Sequence, residues 1–323
     1  GGLDADAVAA AIADGWRSVR PDDEVVELPQ ADGGEGTLAA IERAVPGSRR
    51  RSAGPVTGPD GEPVPGVWLE LPDGSAVVEL ALSSGLALMP QLDALGATTT
   101  GLGEVIAAAL DAGCSRLVVA LGGSASTDGG VPAIEAIGAR RPPAGGAVLL
   151  TDVTAPLLGP GGAAAVFGPQ KGADAATVAM LERRLADVAA RLGGDPDTPG
   201  AGAAGGTAFG LATWGASMSP GAAEVAELSG LIAAAPTADL IITGEGRFDA
   251  QSTIGKVVGE VIGLGRPVAL IAGAVQAPFP GWSASLVELA GSLDAAIAHP
   301  ARWLHDAGAA AAAAFTLENR STS

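Results

Sequence analysis

The chain has 323 residues, about twice the ~150 residues of a typical domain, which favours two domains and excludes the small disulfide-stapled classes. A hydrophobic fraction of 48% with 17% charged residues indicates a globular fold rather than a disordered chain. The formal net charge of -18 argues against nucleic acid and anionic membranes as partners, and the single cysteine excludes an internal disulfide.

Apolar runs bounded by glycine or proline predict buried strands, and apolar residues spaced near a helical period predict helices between them. In chain order, we predict helices at Asp4–Arg17, Thr37–Ala44 and Gly103–Ala112, strands at Arg116–Leu121 and Ala147–Val153, a helix at Ala175–Leu192, strands at Leu240–Thr243, Val268–Ala272 and Ala295–Ala298, and a helix at Ala301–Phe315. Because parallel strands need long crossovers, this alternation predicts an α/β fold with a mainly parallel sheet.

The stretch from Val56 to Leu80 differs from this pattern, because two turn sequences, Gly58–Gly61 and Pro72–Gly74, separate short extended pieces. Such spacing predicts antiparallel hairpins. We place the domain crossings near residues 57 and 225. Residues 1–57 with 225–323 then form one α/β domain, and residues 58–224 form a mixed α/β domain inserted in the chain. No run of about 18 apolar residues and no signal-peptide pattern is present, so we expect a cytoplasmic protein without a membrane span.

Five glycine-rich segments stand out, four of them with carboxylate, hydroxyl or amine groups, and three of the five follow a predicted strand or precede a helix. They are Asp32–Thr37, Gly122–Gly130, Gly168–Gly172, Gly202–Gly206 and Thr243–Asp249. Open α/β sheets bind ligands at these positions, where glycine lets backbone N–H groups approach a phosphate and carboxylates hold Mg²⁺ or accept a proton. The alternative for each segment is a tight turn with a helix cap. A Walker A box and a strand-linked Gly-x-Gly-x-x-Gly are both missing, which disfavours P-loop and dinucleotide enzymes.

Longer segments of the chain resemble the bacterial type-1 glycerate kinases. They are Pro29–Thr37, Gly122–Gly130, Thr151–Pro160, Val166–Ala173 and Ala238–Lys256. The resemblance spans nearly the whole chain and implies ATP-dependent phosphorylation of D-glycerate to 2-phosphoglycerate with Mg²⁺. It also implies two unlike α/β domains, one of them flavodoxin-like, with ATP and glycerate meeting in a cleft between them.

The sequence departs from the family pattern in two places. Family members open with a short strand ending in Pro-Asp-Ser-Phe-Lys-Gly, and this chain starts at the final glycine, so we expect that strand and its charged residues to be missing. Residues 142–146 stand where the family has a longer connection, which indicates a deletion. These departures motivate a second hypothesis, a catalytically silent homologue that binds ATP or glycerate.

Phosphoryl transfer to a hydroxyl needs both carboxylates and cations at one site. Glu245 and Asp249 are the candidate metal ligands, and either carboxylate is also a candidate base. Asp152 is a second candidate for the metal or the base. Arg247 is the candidate anion clamp, with a loop ion pair as its alternative, and Lys256 completes the predicted catalytic set.

Substrate and nucleotide contacts are predicted for the glycine motifs and the second lysine. These residues are Asp32, Gly33, Gly34, Glu35, Gly122, Gly123, Ser124, Ser126, Thr127, Asp128, Lys171 and Gly244. For Asp32 and Glu35, an N-cap and its capping-box partner explain the spacing equally well. A nicotinamide oxidoreductase is a third hypothesis, which rests on α/β patterning alone. The expected partner is a small molecule, and we expect a monomer or a homodimer.

Overall fold

The computed structural model describes residues 3–250, 252 and 257–321, with side chains through residue 315. The strands are β1 (Arg49–Thr57), β2 (Pro63–Glu70), β3 (Ala76–Glu79), β4 (Leu117–Ala120), β5 (Ala147–Leu150), β6 (Ser217–Ser219), β7 (Ile241–Phe248), β8 (Val268–Val275) and β9 (Ser283–Ser285). The helices are α1 (Ala5–Val19), α2 (Thr37–Ala44), α3 (Ala81–Ser84), α4 (Thr100–Asp111), α5 (Val131–Ile137), α6 (Ala163–Phe167), α7 (Ala175–Leu192), α8 (Thr207–Trp214), α9 (Gly221–Leu228), α10 (Leu231–Ala234), α11 (Val257–Gly263), α12 (Leu286–Ala290), α13 (Leu293–Ala298) and α14 (Pro300–Ser321).

The chain divides into two compact units, Gly1–Ala31 with Val225–Ser323 (unit 1) and Asp32–Glu224 (unit 2). The α/β class with two unlike units is confirmed, since unit 1 holds a parallel sheet and unit 2 a mixed one. The sequence placed residues 32–57 in the first domain, whereas the structure places them in unit 2. The physical reason is that β1 pairs with β2 along its whole length, from Arg49↔Glu70 to Thr57↔Pro63.

Unit 2 is built on a six-stranded sheet in the order β1-β2-β3-β4-β5-β6. The first three strands pair antiparallel, which confirms the predicted hairpins, and β3 to β6 pair parallel. All four residues of β3 and all four of β4 are buried, as expected for parallel strands covered on both faces. Leu102 and Ile106 of α4 and Ile137 of α5 pack with these strands in the main core. The carboxyl ends of β4 and β5 therefore lie together at one edge of a rigid sheet.

Unit 1 has a three-stranded parallel sheet in the order β7-β8-β9. Helices α1 and α14 lie across this sheet and pack closely against each other, because glycines lie at their contact points. A Cβ added at Gly15 would lie 1.9 Å from the carbonyl oxygen of His305, and one at Gly308 would lie 2.3 Å from that of Ile12. In the described part of the chain, no helix combines the length and apolar character needed to cross a bilayer.

The predicted strand at Ala295–Ala298 is wrong, because these residues belong to helix α13. Ser292 caps this helix by accepting a hydrogen bond from the Ala295 N–H at 3.2 Å. Leu293 and Ile297, four residues apart, are 59% and 63% exposed while Ala296 is buried, which is a helical and not a buried-strand pattern. The other predicted strands, and all five predicted helices, coincide with elements of the structure.

Candidate active site

A cavity of about 300 Å³ lies in unit 2 at the carboxyl ends of β4 and β5. Its walls come from the loop before α2, the loops after β4 and β5, and the turns around α6 and α8. The lining residues are Asp32, Gly33, Gly34, Leu121, Gly122, Gly123, Ser124, Leu150, Thr151, Asp152, Val153, Phe167, Gln170, Lys171, Ala203 and Ala204. Parallel α/β sheets place ligands at this edge, so the cavity is the best candidate site in the unit.

The structure brings together two of the glycine motifs predicted from sequence. The Gly122 N–H donates to the carbonyl oxygen of Gly33 at 2.9 Å. A Cβ at Gly122 would lie 2.4 Å from the Cα of Gly34, and Gly33 has a φ of +90°. The two loops touch backbone to backbone, which only glycine permits at these positions.

The N-terminus of α2 is closed by a residue that the sequence did not predict. Glu79, at the end of β3, accepts hydrogen bonds from the N–H groups of Gly36 and Leu38, both at 2.9 Å. The carboxylate is 3% exposed, and burial raises its pKa although the two N–H donors lower it. Because Glu79 occupies these two donors, neither of the two N–H groups is available to a ligand.

The capping box considered for Asp32 and Glu35 is therefore wrong. The N-cap of α2 is Gly36, with a φ of +86° and no side-chain cap. The Oδ1 atom of Asp32 instead accepts from the Gly34 N–H at 3.2 Å, which fixes the turn that lines the cavity. Glu35 is exposed and does not line the cavity, although its carboxylate lies beside Gly123.

Lys171 is a cavity-lining residue that is only 2% exposed. Its ammonium donates to the carbonyl oxygen of Ser126 and, at 3.5 Å, to the Oγ of Ser124. Burial lowers the pKa of Lys171 to about 8, and the charge of Asp128 opposes that shift. This predicted residue therefore combines a charged group with a largely desolvated position.

Three of the predicted binding residues in the loop after β4 do not line the cavity. Ser126 and Thr127 are fully buried, and Asp128 is 8% exposed. Asp128 accepts from the N–H of Thr99 at 2.8 Å, from its hydroxyl at 2.9 Å, and from the Gly130 N–H at 2.9 Å. Burial raises the pKa of Asp128 against these bonds. These hydrogen bonds indicate a structural role for Asp128, which connects the residues that precede α4 and α5.

A strained turn forms another wall of the cavity. Ala204 has a φ of +52°, and Gly205 and Gly206 follow with φ of +65° and +85°. A Cβ at Gly205 would lie 2.1 Å from the carbonyl oxygen of Ser126, so the turn presses against the loop after β4. Alanine in the left-handed region costs on the order of 1 kcal/mol, and such strain gathers at functional sites.

Asp152 follows β5 and lines the cavity from the third loop. Its Oδ1 accepts from the Gly221 N–H, at the start of α9, at 2.9 Å. The side chain is exposed, so the carboxylate is open to solvent while its orientation is held. Such a group can accept a proton or contact a polar ligand.

The remaining predicted residues lie in unit 1, on or just after β7. Glu245, Arg247 and Asp249 alternate along the strand, and the Arg247 Nε lies 3.8 Å from the Asp249 Oδ2. The ion pair that the sequence offered as an alternative is therefore present. Gly244 pairs with Ile271, and a Cβ there would lie 2.0 Å from the Ile271 carbonyl oxygen, so tight strand packing explains this glycine.

Lys256 lies outside the described residues. Carboxylate oxygens suitable for Mg²⁺ are present near it in the chain, since the Glu245 Oε1 is buried and has no hydrogen-bond partner among the described residues. Mg²⁺ is usually held by one or two carboxylates together with phosphate oxygens and water, so this donor fits the ion. Within the described ranges no group of three or more His, Cys, Asp or Glu side chains has metal-binding geometry.

Several important residues had no clear signal in the sequence. Glu79 stands in an ordinary apolar strand, 43 residues from the helix that it caps. Phe167, Gln170 and Ala204 line the cavity and lie inside segments singled out from the sequence, but none of the three was predicted as a site residue. A buried-strand pattern that ends in glutamate was the only available hint for Glu79, because an unpaired charge at such a position needs a partner.

Comparison with known families gives one match that spans most of the chain. The model described as "Glycerate kinase family" matches residues 1–149 and 145–316. A glycerate kinase of Bacillus subtilis is 41% identical over 286 residues, which cover 77% of this chain and 74% of that protein. A glycerate 2-kinase of Escherichia coli is 39% identical over 293 residues, which cover 79% of this chain and 76% of that protein.

A solved structure is similar over nearly the full length. The crystal structure of glycerate kinase 2 from Salmonella typhimurium LT2 matches with a TM-score of 0.81 and 34% sequence identity. The match covers 98% of this chain and 96% of that chain. Sequence and fold therefore lead to the same family.

Proposed function

This chain belongs to the glycerate kinase family, and we propose that it transfers the terminal phosphoryl group of ATP to D-glycerate, giving 2-phosphoglycerate and ADP. The observation that supports this best is the cavity at the carboxyl ends of β4 and β5, which is lined by a buried lysine, two aspartates and glycine-rich loops. The E. coli relative is named a glycerate 2-kinase, which supports attack by the 2-hydroxyl group.

We assign the cavity to the acid rather than to the whole nucleotide. Its volume of about 300 Å³ lies at the lower end of the ~300–1,000 Å³ usual for ligand pockets, and a three-carbon acid is a small ligand. Ser124, Gly123 and Lys171 provide polar groups on one wall, and Asp32 and Asp152 provide carboxylates. A small pocket of this kind favours a polar substrate with few atoms.

The reaction forms a bond between the glycerate oxygen and the γ-phosphorus and breaks the bond from that phosphorus to the β,γ-bridging oxygen. The hydroxyl proton must be accepted as the bond forms, and Asp152 or Asp249 takes it. Arg247 offsets the negative charge of the transferred group. Positioning and electrostatics supply most of the rate in such reactions, so these side chains need fixed orientations.

Mg²⁺ would be held by Glu245 and Asp249, and it would neutralise charge on the phosphate oxygens. ATP as co-substrate, the cleft between domains, a cytoplasmic location and a monomeric or homodimeric state stay predictions.

An assay of ADP release tests the proposal. We expect release that requires both D-glycerate and Mg²⁺. Asp152→Asn should lower kcat by about 100-fold or more, because the amide keeps the hydrogen bond to Gly221 but cannot accept the proton. Asp195→Asn is the matched control, since Asp195 holds a similar turn by accepting from the Asp197 N–H and does not line the cavity.

The outcomes separate the hypotheses. Wild-type turnover without any dependence on D-glycerate would reject the proposed reaction. Binding of ATP and glycerate without turnover would favour the silent homologue. Equal rates for the Asp152→Asn and Asp195→Asn variants would remove Asp152 from the mechanism and leave Asp249 as the base.

A further inference from the structure

Lys171 presents a buried charge without a counter-charge in direct contact. The side chain is 2% exposed, and its two hydrogen-bond acceptors, the Ser126 carbonyl oxygen and the Ser124 Oγ, are neutral atoms. Among the described residues, no carboxylate oxygen lies within 4.0 Å of the ammonium. Asp128 acts on it only through space, because its own oxygens are bonded to Thr99 and Gly130.

Buried ammonium groups in proteins are almost always paired, since desolvation of an unpaired charge is costly. Lys171 also lines the cavity, so a ligand in that cavity can approach the ammonium. The missing counter-charge therefore belongs to the ligand. An anionic group of the substrate is the partner that completes this arrangement.

We propose that Lys171 binds the carboxylate of the acid substrate and so selects hydroxy acids over neutral polyols. The proposal rests on the proposed function and deepens it, because it names the group that recognises the substrate class. Ser124, whose Oγ already contacts the ammonium, would share the carboxylate through its hydroxyl group.

The surrounding charges favour a carboxylate over a polyphosphate as the partner. Asp32 and Asp152 line the same cavity and repel a group with several negative charges. One ammonium balances one carboxylate, and a small cavity leaves the nucleotide's phosphates elsewhere. A phosphate partner for Lys171 remains a distinct outcome of the experiment below.

Binding should then be linked to a proton. Three carboxylates face this region: Asp128 acts on the ammonium through space, and Asp32 and Asp152 line the same cavity. In the free protein, burial holds the pKa of Lys171 at about 8, and a bound carboxylate raises it because it stabilises the charged form. Above pH 8 the protein must take up a proton to bind the acid, so affinity falls about tenfold per pH unit.

Calorimetric titration with D-glycerate in two buffers of different ionisation enthalpy measures this uptake. We expect almost no uptake at pH 6.5 and close to one proton at pH 9 for the wild-type chain. Lys171→Met should abolish the uptake and weaken D-glycerate binding about 100-fold or more, and Lys171→Arg should keep binding but lose the pH dependence. Arg183→Met is the matched control, because it removes one positive charge from the exposed face of α7 and should change neither quantity.

Turnover with D-glycerate and with glycerol gives a second readout. Lys171→Met should raise the KM for D-glycerate while leaving the KM for ATP within about twofold, and should shrink the preference for glycerate over glycerol about 100-fold. A raised KM for ATP instead would overturn the proposal in favour of a phosphate partner. Unchanged proton uptake in Lys171→Met would also overturn it. If no chain turns over but uptake depends on Lys171, the proposed reaction fails and this inference stands.

Discussion

At the scale of single residues, the buried charge of Lys171 lowers the stability of the folded protein at a position where we propose that it binds the substrate. A buried charge without a counter-charge in direct contact destabilises the folded chain, and burial has lowered the pKa of this ammonium to about 8 from its usual 10.5. Below pH 8 the folded protein carries the full desolvation cost, and the cost disappears as pH rises past 10.5, where lysine is neutral in both states. Such sites persist because a ligand needs them.

We therefore predict that Lys171→Met stabilises the ligand-free protein at pH 7. The lowered pKa corresponds to at most about 3 kcal/mol, and methionine refills the space of the lysine stem. The measurement is the urea midpoint of both chains at pH 7 and pH 10, with the variant ahead at pH 7 and the difference shrinking at pH 10. A variant less stable than wild type at pH 7 would contradict a cost of burial at this position.

The motifs predicted from sequence and the lining of the cavity overlap only in part. Gly33, Gly122 and Ser124, predicted as contacts, and Asp152, predicted as a metal ligand or base, line the cavity, and their roles stay predictions. Asp128 belongs to the same motif as Ser124, but its Oδ2 accepts from Thr99, 29 residues earlier, and its Oδ1 accepts from Gly130. A motif shows which chemistry a loop carries but not which of its side chains turn toward the cavity.

At the scale of elements, β3 positions the loop before α2 through Glu79. Replacing it with glutamine removes one of two charged acceptors for α2, so we predict a loss of about 1–3 kcal/mol and a fall in kcat/KM of about tenfold or more. Glu104→Gln is the matched control, because Glu104 accepts from the Thr57 N–H and hydroxyl away from the cavity. We expect it to lose similar stability with little change in kcat/KM.

Hydrogen exchange separates positioning from simple destabilisation in these two variants. In Glu79→Gln the amides at the start of α2 should exchange faster, whereas in Glu104→Gln they should not. Equal losses of kcat/KM in both variants would show that stability alone accounts for the effect.

The contact between two glycine loops gives another prediction at this scale. A methyl group at Gly122 would meet the Cα of Gly34 at 2.4 Å, so Gly122→Ala should push the loops apart and lower kcat/KM about tenfold or more. Gly161→Ala is the control, since nothing lies within 4 Å of its added Cβ. Wild-type kcat/KM in Gly122→Ala would show that the loop contact has no part in the reaction.

The elements themselves were largely predictable, because buried parallel strands and amphipathic helices leave clear patterns. The predicted bounds of α2 and α7 match the structure. The failure at α13 has a simple cause, since four apolar residues in a row fit a short strand and a short helix equally well. The serine cap at Ser292 was the signal that distinguishes them.

At the scale of the whole molecule, the family match divides at the connection between α5 and β5. The family model matches in two stretches that meet at residues 145–149, beside the short connection noted from the sequence. There the Gly145 N–H donates to the Ser115 carbonyl oxygen and the Gly146 N–H to that of Pro143, each at 2.8 Å. The short connection therefore completes the crossover between β4 and β5, and both of these N–H groups have hydrogen-bond acceptors.

The central claim is that this chain converts D-glycerate to a phosphate ester. Phosphorus-31 NMR of a mixture of the chain, ATP, Mg²⁺ and D-glycerate tests it most directly, because the spectrum identifies both the new ester and the oxygen that carries it. We predict a phosphomonoester signal of 2-phosphoglycerate that grows as the γ-phosphate signal of ATP declines. A spectrum in which ATP persists, or yields only inorganic phosphate, would contradict the claim.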